Sequence, residues 1–441
     1  MSLATPEKLR RLQRALYDKA KRDPGYRFYA LYDKVWREDV IGHAYRLCRE
    51  NGGAPGVDGV TFAQIEADGL ERWLGELREE VRTGRYRTQP VRRVMIPKAW
   101  GDGERPLGIP AIRDRVVQTA AKLILEPIFE ADFDDAAYGY RPNRSAMQAV
   151  KRVHEALMRG HTEVVDADLA KYFDNIPHSQ LMKSLARRIS DGRMLHLLKM
   201  WLKAPVEERD ERGKWTLTGG KKATRGTPQG GVISPLLANV YMHRYIKAFR
   251  KHGLAEKHGA ELVVYADDLV VLCRRNAQQV LENTRRWMGQ IGLTVNEAKT
   301  SVRDAWRESF DFLGYTFGPM YSPRSGKRYL GATPSKKAIR RFRENVHARL
   351  RRSNLAPEGE VVTQLNRFLR GWASYFGYGT IAGVRHALDQ YVTERVRHFL
   401  TRRHRVRSRG TAVYPQKAIH AELGVLDLTQ LPRHRFANAL S

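Results

Sequence analysis

Apolar positions along the chain follow a helical period at both ends and a strand-like period in the middle. After Thr5-Pro6-Glu7, Leu9, Leu12 and Leu16 recur at helical spacing, opposite Lys8, Arg10, Arg11 and Arg14, which predicts an amphipathic helix opening on proline. A basic strand from Val91 ends at Pro97-Lys98. Gly101-Asp102-Gly103 then turns it into a second segment opening at Arg105, a predicted hairpin. Residues 112–129 read as a helix with Val116, Val117, Ala120, Leu123 and Ile124 on its core face. Val164 and Val165 lead a strand through Asp166 and Asp168 into a helical turn. An amphipathic segment over 178–202, a hairpin around Glu211-Arg212-Gly213-Lys214 and an apolar helix over 236–245 follow. Residues 261–275, ELVVYADDLVVLCRR, hold two β-branched runs, 262–265 and 269–273, around Ala266-Asp267-Asp268. That pattern predicts buried strands joined at a tight tip. A helix over 277–291 and an aromatic strand over 310–317 come next. Beyond about Pro319 the helical period returns. Leu365, Phe368, Leu369, Trp372, Tyr375 and Phe376 form a core face, Arg367 and Arg370 point outward, and residues 395–409 read as a further basic helix.

Charge changes the picture. The 441 residues hold 78 Lys and Arg against 48 Asp and Glu, a formal +30, which is the footprint of a polyanion-binding protein. The excess is greatest over 324–409, with 21 basic against five acidic residues. No apolar run is long enough to span a bilayer, and the charged N-terminus lacks the apolar stretch of a secretion signal. The two cysteines, Cys48 and Cys273, supply neither a disulfide framework nor a zinc finger, so a reducing compartment fits. These features predict a folded, cytosolic nucleic-acid-binding protein.

The candidate chemistry is carried by acids. Two carboxylates about 4 Å apart at an effective dielectric near 20 repel by roughly 4 kcal/mol, so the Asp267-Asp268 pair calls for solvent or a divalent cation. Period-two alternation puts Asp166 and Asp168 on one strand face, and these also call for a cation. Lys98 and Arg105, on one edge of the predicted hairpin, form a fork for a polyphosphate. Tyr138-Gly139-Tyr140-Arg141-Pro142 is a patch of the kind on which bases stack. The glycine-rich loop 225–231, with the amide of Gln229, and the turn-rich loop 51–59 both permit close backbone approach to a ligand or tight chain reversal.

The order of these signals resembles a bacterial group II intron-encoded reverse transcriptase/maturase. The matching motifs are Gly56-Val57-Asp58-Gly59, Ile96-Pro97-Lys98 with Arg105-Pro106-Leu107-Gly108-Ile109-Pro110, and Tyr138-Gly139-Tyr140-Arg141-Pro142-Asn143-Arg144-Ser145. Thr227-Pro228-Gln229-Gly230-Gly231, Tyr265-Ala266-Asp267-Asp268, residues 293–300 and Phe312-Leu313-Gly314-Tyr315 match as well. The resemblance covers about residues 50–318, and more loosely Trp372-Ala373-Ser374-Tyr375-Phe376, similar to the family's thumb, or maturase domain X.

That resemblance implies an α+β right-hand polymerase with fingers and palm of antiparallel sheet and helices, followed by an α-helical thumb. Its expected domains are a helical extension over 1–45, fingers and palm over 46–318, and a basic thumb/domain X over 319–441. Asp168, Asp267 and Asp268 would be catalytic and bind two Mg²⁺ ions, for which Mn²⁺ can substitute. Lys98 and Arg105 would hold the triphosphate of the incoming dNTP, although their separation is one residue longer than the family pattern. Phe173 would exclude a ribose 2′-OH, Gln229 would lie against the nucleotide and Lys299 near the pyrophosphate as a general acid. Asp166 inherits no family role. The basic positions Arg367, Arg370, Arg402, Arg403, Arg405 and Arg407 are expected to contact RNA. The implied function is RNA-directed DNA synthesis, with binding of structured group II intron RNA, help with its splicing and mobility, and a DNA primer or target. The setting would be the bacterial cytoplasm, with no membrane partner. Alternatives are a domesticated reverse transcriptase in phage defence or CRISPR spacer acquisition, and a non-catalytic RNA-binding maturase. Such proteins often continue into an endonuclease with zinc-binding cysteines. No cysteine follows Cys273, so target-DNA cleavage is not expected.

Overall fold

The computed structural model describes residues 4–97, 104–209, 215–228, 230–323 and 325–432; Lys98, Gln229 and the turns expected at 101–103 and 211–214 lie outside them. Among the described residues the strands are β1 Val91–Pro97, β2 Glu104–Ile109, β3 Glu163–Asp168, β4 Pro205–Arg209, β5 Trp215–Gly219, β6 Glu261–Tyr265, β7 Asp268–Cys273, β8 Ser301–Asp304, β9 Phe310–Phe312, β10 Tyr315–Tyr321 and β11 Arg328–Pro334. They form three sheets, ordered β2-β1-β4-β5, β6-β7-β3-β8 and β11-β10-β9. The β1–β2, β4–β5, β6–β7, β9–β10 and β10–β11 pairs are antiparallel and β1–β4 is parallel. With long helices between them, the result is the expected α+β fold. No helix among the described residues is long and apolar enough to cross a membrane.

The chain packs as two units. The first comprises Met1–Ala149 and Val165–Val302. Its centre is the helix Ile112–Glu130, whose Val116, Val117, Ala120 and Ile124 are fully buried. The N-terminal helix Glu7–Arg22 belongs to the same core through Leu9 and Leu16, and leaves Lys8, Arg10, Arg11 and Arg14 exposed. Arg188 locks that helix in place. Its guanidinium is buried, donates to the carbonyls of Ala20, Asp23, Pro24 and Tyr26, and pairs with Asp132 at 3.1 Å. Residues 178–202, read as one amphipathic segment, are two helices, His178–Leu185 and Gly192–Leu202. The break falls at Asp191. Its carboxylate caps the second helix at Met194 and also accepts from the Leu31 and Tyr32 amides, and an unbroken helix could not make those bonds.

The second unit comprises Val150–Val164 and Arg303–Ser441. Residues 310–317 are not one strand. Leu313 and Gly314, with φ of 48° and 79°, turn β9 back on β10 as a two-residue hairpin. Tyr315 is fully buried and donates to the Tyr375 carbonyl at 2.7 Å, while Tyr375 donates to the Leu313 carbonyl at 2.9 Å. These bonds tie the hairpin to the helix Glu358–Tyr375 within the second unit. Leu365, Leu369 and Trp372 are buried as the spacing predicted. The helix Ala382–Arg403 ends earlier than residue 409, because Arg405 adopts a left-handed φ of 54°.

Candidate active site

The β6–β7 hairpin pairs Tyr265 with Asp268, so Ala266 and Asp267 alone make the turn. Ala266 takes a positive φ of 58° without being glycine, a conformation costing about 1–3 kcal/mol that surrounding contacts must hold. Those contacts come from residues 136–139. The Tyr138 amide donates to the Val264 carbonyl and the Val264 amide to the Ala136 carbonyl, each at 2.8 Å, extending the sheet beyond β6. Gly139 then lies directly against the tip. A Cβ there would stand 2.5 Å from the Ala266 nitrogen, so no larger residue fits without moving the turn. Asn239 secures Gly139 by donating to its carbonyl at 2.8 Å.

Asp168 ends β3, which neighbours β7 in the same sheet, where strands run about 4.7–4.9 Å apart. Residues 294–299 are zipped onto that strand end. The Ala170 amide donates to the Thr294 carbonyl at 2.9 Å and the Asn296 amide to the Asp168 carbonyl at 2.8 Å. The zipper aims two side chains at one carboxylate oxygen, with Lys299 Nζ 2.9 Å and Asn296 Nδ2 3.2 Å from Asp168 Oδ2. Hydrogen bonding to Asp168 raises the Lys299 ammonium, so it holds its proton. Asn296 was not singled out from the sequence; its only signal was its place in the 293–300 motif.

Acids crowd this corner. Burial, followed by the charge of Asp168, raises the Asp267 carboxyl; Lys299 and Arg105 oppose the rise. Burial and then the charges of Asp267, Asp168 and Asp166 push Asp268 up to about 7, against Lys299. Asp268 reaches solvent yet is ringed by protein atoms, so partial loss of hydration, and after it like charge, set the direction. Asp166, given no role from sequence, therefore belongs to the same field. Among the described residues, four acids answered by one close ammonium, with oxygen donors throughout, suit a hard divalent cation.

A folded-state pKa above the ordinary Asp value of about 3.9 makes the site's contribution to stability complete below that value and lost as pH rises toward 7. Without metal, the melting temperature of the wild type should fall between pH 4 and 7 more steeply than that of Asp268→Asn. Adding Mg²⁺ at pH 7.5 should recover the difference. Parallel melting curves for the two proteins across that range would show that the acids do not repel.

The remaining predicted residues are distributed as follows. Arg105 is exposed on β2, opposite Ile96, and its charge acts on both Asp267 and Tyr140. Phe173, half-buried in the short helix Tyr172–Asn175, meets Tyr140 edge-on with ring centres 6.2 Å apart. Tyr140 is half exposed beside the acids. Arg141 is no stacking surface. It is buried, pairs with Glu130 at 2.6 Å and donates to the carbonyls of Asp134 and Ala137, because a buried guanidinium needs all its donors satisfied. The glycine loop also has an internal reason. Gly230, at φ 104°, would place a Cβ 2.1 Å from the Gly108 carbonyl oxygen on β2. The close approach there is to the chain's own backbone. In the second unit, Arg367 and Arg370 are exposed on the helix Glu358–Tyr375. Arg402 and Arg403 are exposed at the end of the following helix, and Arg405 and Arg407 just beyond it.

Comparison with known proteins bears on the same residues. Residues 96–317 match the family described as "Reverse transcriptase (RNA-dependent DNA polymerase)", and residues 339–414 match "Group II intron, maturase-specific domain". Protein YkfC of Escherichia coli K12 is 34% identical over 384 residues, 79% of this chain and 98% of that protein. The group II intron-encoded protein LtrA of Lactococcus lactis subsp. cremoris is 37% identical over 221 residues, 50% of this chain but 35% of LtrA. Among solved structures, a partial Cas6-RT-Cas1–Cas2 complex is 23% identical and covers 59% of this chain and 42% of that one. Its TM-score of 0.35 is too low to bear on fold or function. The chain belongs to the reverse transcriptase (RNA-dependent DNA polymerase) family and carries the maturase-specific domain of group II intron proteins.

Proposed function

We propose that this RNA-directed DNA polymerase joins deoxynucleotides at Asp168, Asp267 and Asp268, and that its basic second unit holds a structured group II intron RNA whose splicing and mobility it assists. The observation that carries this reading is that β3, ending at Asp168, and β7, opening at Asp268, are neighbours in one sheet within the matched residues, and that the charges of Asp168 and Asp267 act on Asp268. The three carboxylates would bind two Mg²⁺ ions, which supply activation of the primer 3′-hydroxyl and neutralisation of the leaving pyrophosphate. Lys299 keeps its proton beside Asp168, placing a positive charge, and a proton donor, at the corner where pyrophosphate departs. Arg105 adds charge from β2, and Lys98 and Gln229 would complete the nucleotide site. Phe173, braced edge-on by Tyr140, would crowd a ribose 2′-OH. The protein would act in the bacterial cytoplasm on an RNA template, a DNA primer or target, and dNTPs. Primer extension on an RNA template with Mg²⁺ is the test. Wild-type protein should make DNA that Asp267→Ala does not; equal synthesis by both overturns the assignment of the site.

The exposed arginines carry a separate prediction. Reversing Arg402, Arg403, Arg405 and Arg407 together should weaken intron RNA binding and flatten its salt dependence, by about 0.7–0.9 in log–log slope for each phosphate no longer neutralised. Extension of a short primer should survive. Unchanged RNA affinity would make this run a solvated charge cluster.

A further inference from the structure

We propose that Asp389, His420 and Asp427 form a structural site for a divalent transition-metal ion of the zinc class, which fastens residues 416–428 to the helix Ala382–Arg403. Each residue offers one ligand atom, and these atoms all lie within 4.8 Å of one another. Asp389 projects from the long helix and is 1% exposed; His420 comes from the helix Gln416–Ala421, and Asp427 from the segment after it.

The imidazole is oriented as a ligand. His420 Nδ1–H donates to the Val425 carbonyl at 2.8 Å, which fixes the tautomer and leaves the Nε2 lone pair facing the carboxylates. The same nitrogen faces the Asp389 carboxylate at a distance longer than a charge-assisted hydrogen bond. His420 Nε2 and Asp389 Oδ2 are 3.4 Å apart, whereas a charge-assisted N–H···O⁻ bond closes to about 2.7–2.9 Å. Two ligands each about 2.05 Å from a tetrahedral ion stand about 3.3 Å apart, close to the spacing found.

The surroundings complete the site. The Leu428 amide takes Asp389 Oδ1 at 2.9 Å, leaving Oδ2, with a long 3.3 Å contact from Gln416, as the ligand atom. Thr393 Oγ1 lies 3.4 Å from His420 Nε2, a long hydrogen bond that a bound ion would replace. Asp427 Oδ1 accepts from the Thr429 amide and hydroxyl, which fixes its plane. One imidazole with two carboxylates selects zinc-like ions over the magnesium suited to the all-oxygen corner of the first unit. His420 and Asp427 also lie beyond the residues matched as the maturase-specific domain. No step of the polymerase reading uses this site, so its failure leaves that reading untouched.

The full-length chain should be stripped with a chelator, re-exposed to limiting Zn²⁺, dialysed and its metal counted by mass spectrometry, with melting followed in parallel. Asp427→Asn is the main variant, because asparagine keeps the acceptor for Thr429; His420→Ala is the second. Wild type should retain one more zinc per chain than either variant, and Zn²⁺, but not Mg²⁺, should raise its melting temperature by roughly 5 °C more than theirs. Equal zinc content in wild type and Asp427→Asn overturns the proposal whatever the melting curves do, and leaves a hydrogen-bonded network only.

Discussion

Asp267→Asn and Asp268→Asn should each lower DNA synthesis on an RNA template roughly 10³-fold or more, since in the proposed site each removes a charge on which the transferring phosphoryl group would depend. The loss should not come from unfolding. In the absence of metal both substitutions relieve repulsion in a corner where Asp268 is pushed up to about 7 by burial and then by Asp267, Asp168 and Asp166. The neutral variants should therefore melt at or above the wild-type temperature near neutral pH while being inactive. Added Mg²⁺ should stabilise the wild type much more than the variants. An active Asp268→Asn protein, or one that melts well below wild type, would contradict a site built to concentrate charge for a cation.

Gly139→Ala has the next largest expected effect, because its first added atom would meet main chain rather than a movable side chain. The Cβ would stand 2.5 Å from the Ala266 nitrogen and 3.1 Å from the Tyr265 carbonyl carbon. The hairpin tip must shift, and it carries Asp267 in its turn and Asp268 at the start of β7. Overpacking of this kind costs about 1–3 kcal/mol of stability. Displacing catalytic groups by an ångström costs about 10²-fold in rate. Activity should therefore fall further than the fraction folded, as read by primer extension beside thermal melting on the same samples. Gly75→Ala is the control: it lies in the helix Phe62–Thr83 with open space around its Cβ, and it should leave activity intact and stability equal or raised. If Gly139→Ala behaves like Gly75→Ala, the tip is not held from this side.

Elements defined by neighbours in sequence were readable without coordinates. The β6–β7 hairpin follows from two β-branched runs around two acids, and the helix Ile112–Glu130 from its apolar period. Turns hidden inside an apolar run, and elements that depend on distant partners, were not. Leu313-Gly314 turns β9 back on β10 inside what reads as one aromatic run. Asp191 breaks residues 178–202 because Leu31 and Tyr32, far away in the chain, compete for its carboxylate. Arg141 and the glycines of the 226–231 loop have the composition of ligand-binding residues, yet Arg141 and Gly230 serve the chain's own backbone.

By itself the sequence singled out Asp168 and Asp267-Asp268 as the candidate acids, because they stand in motifs whose order is specific, and it pointed to a polyanionic partner, because net charge needs no fold. Only tertiary structure decided what acts on those acids. Lys299 and Asn296 reach the same oxygen of Asp168 because residues 294–299 pair with the end of β3, more than a hundred positions earlier in the chain. Asp166 joins the field, and Gly139 fixes the tip, for the same reason: Coulomb forces and close contact act through space, and separation along the chain does not measure it.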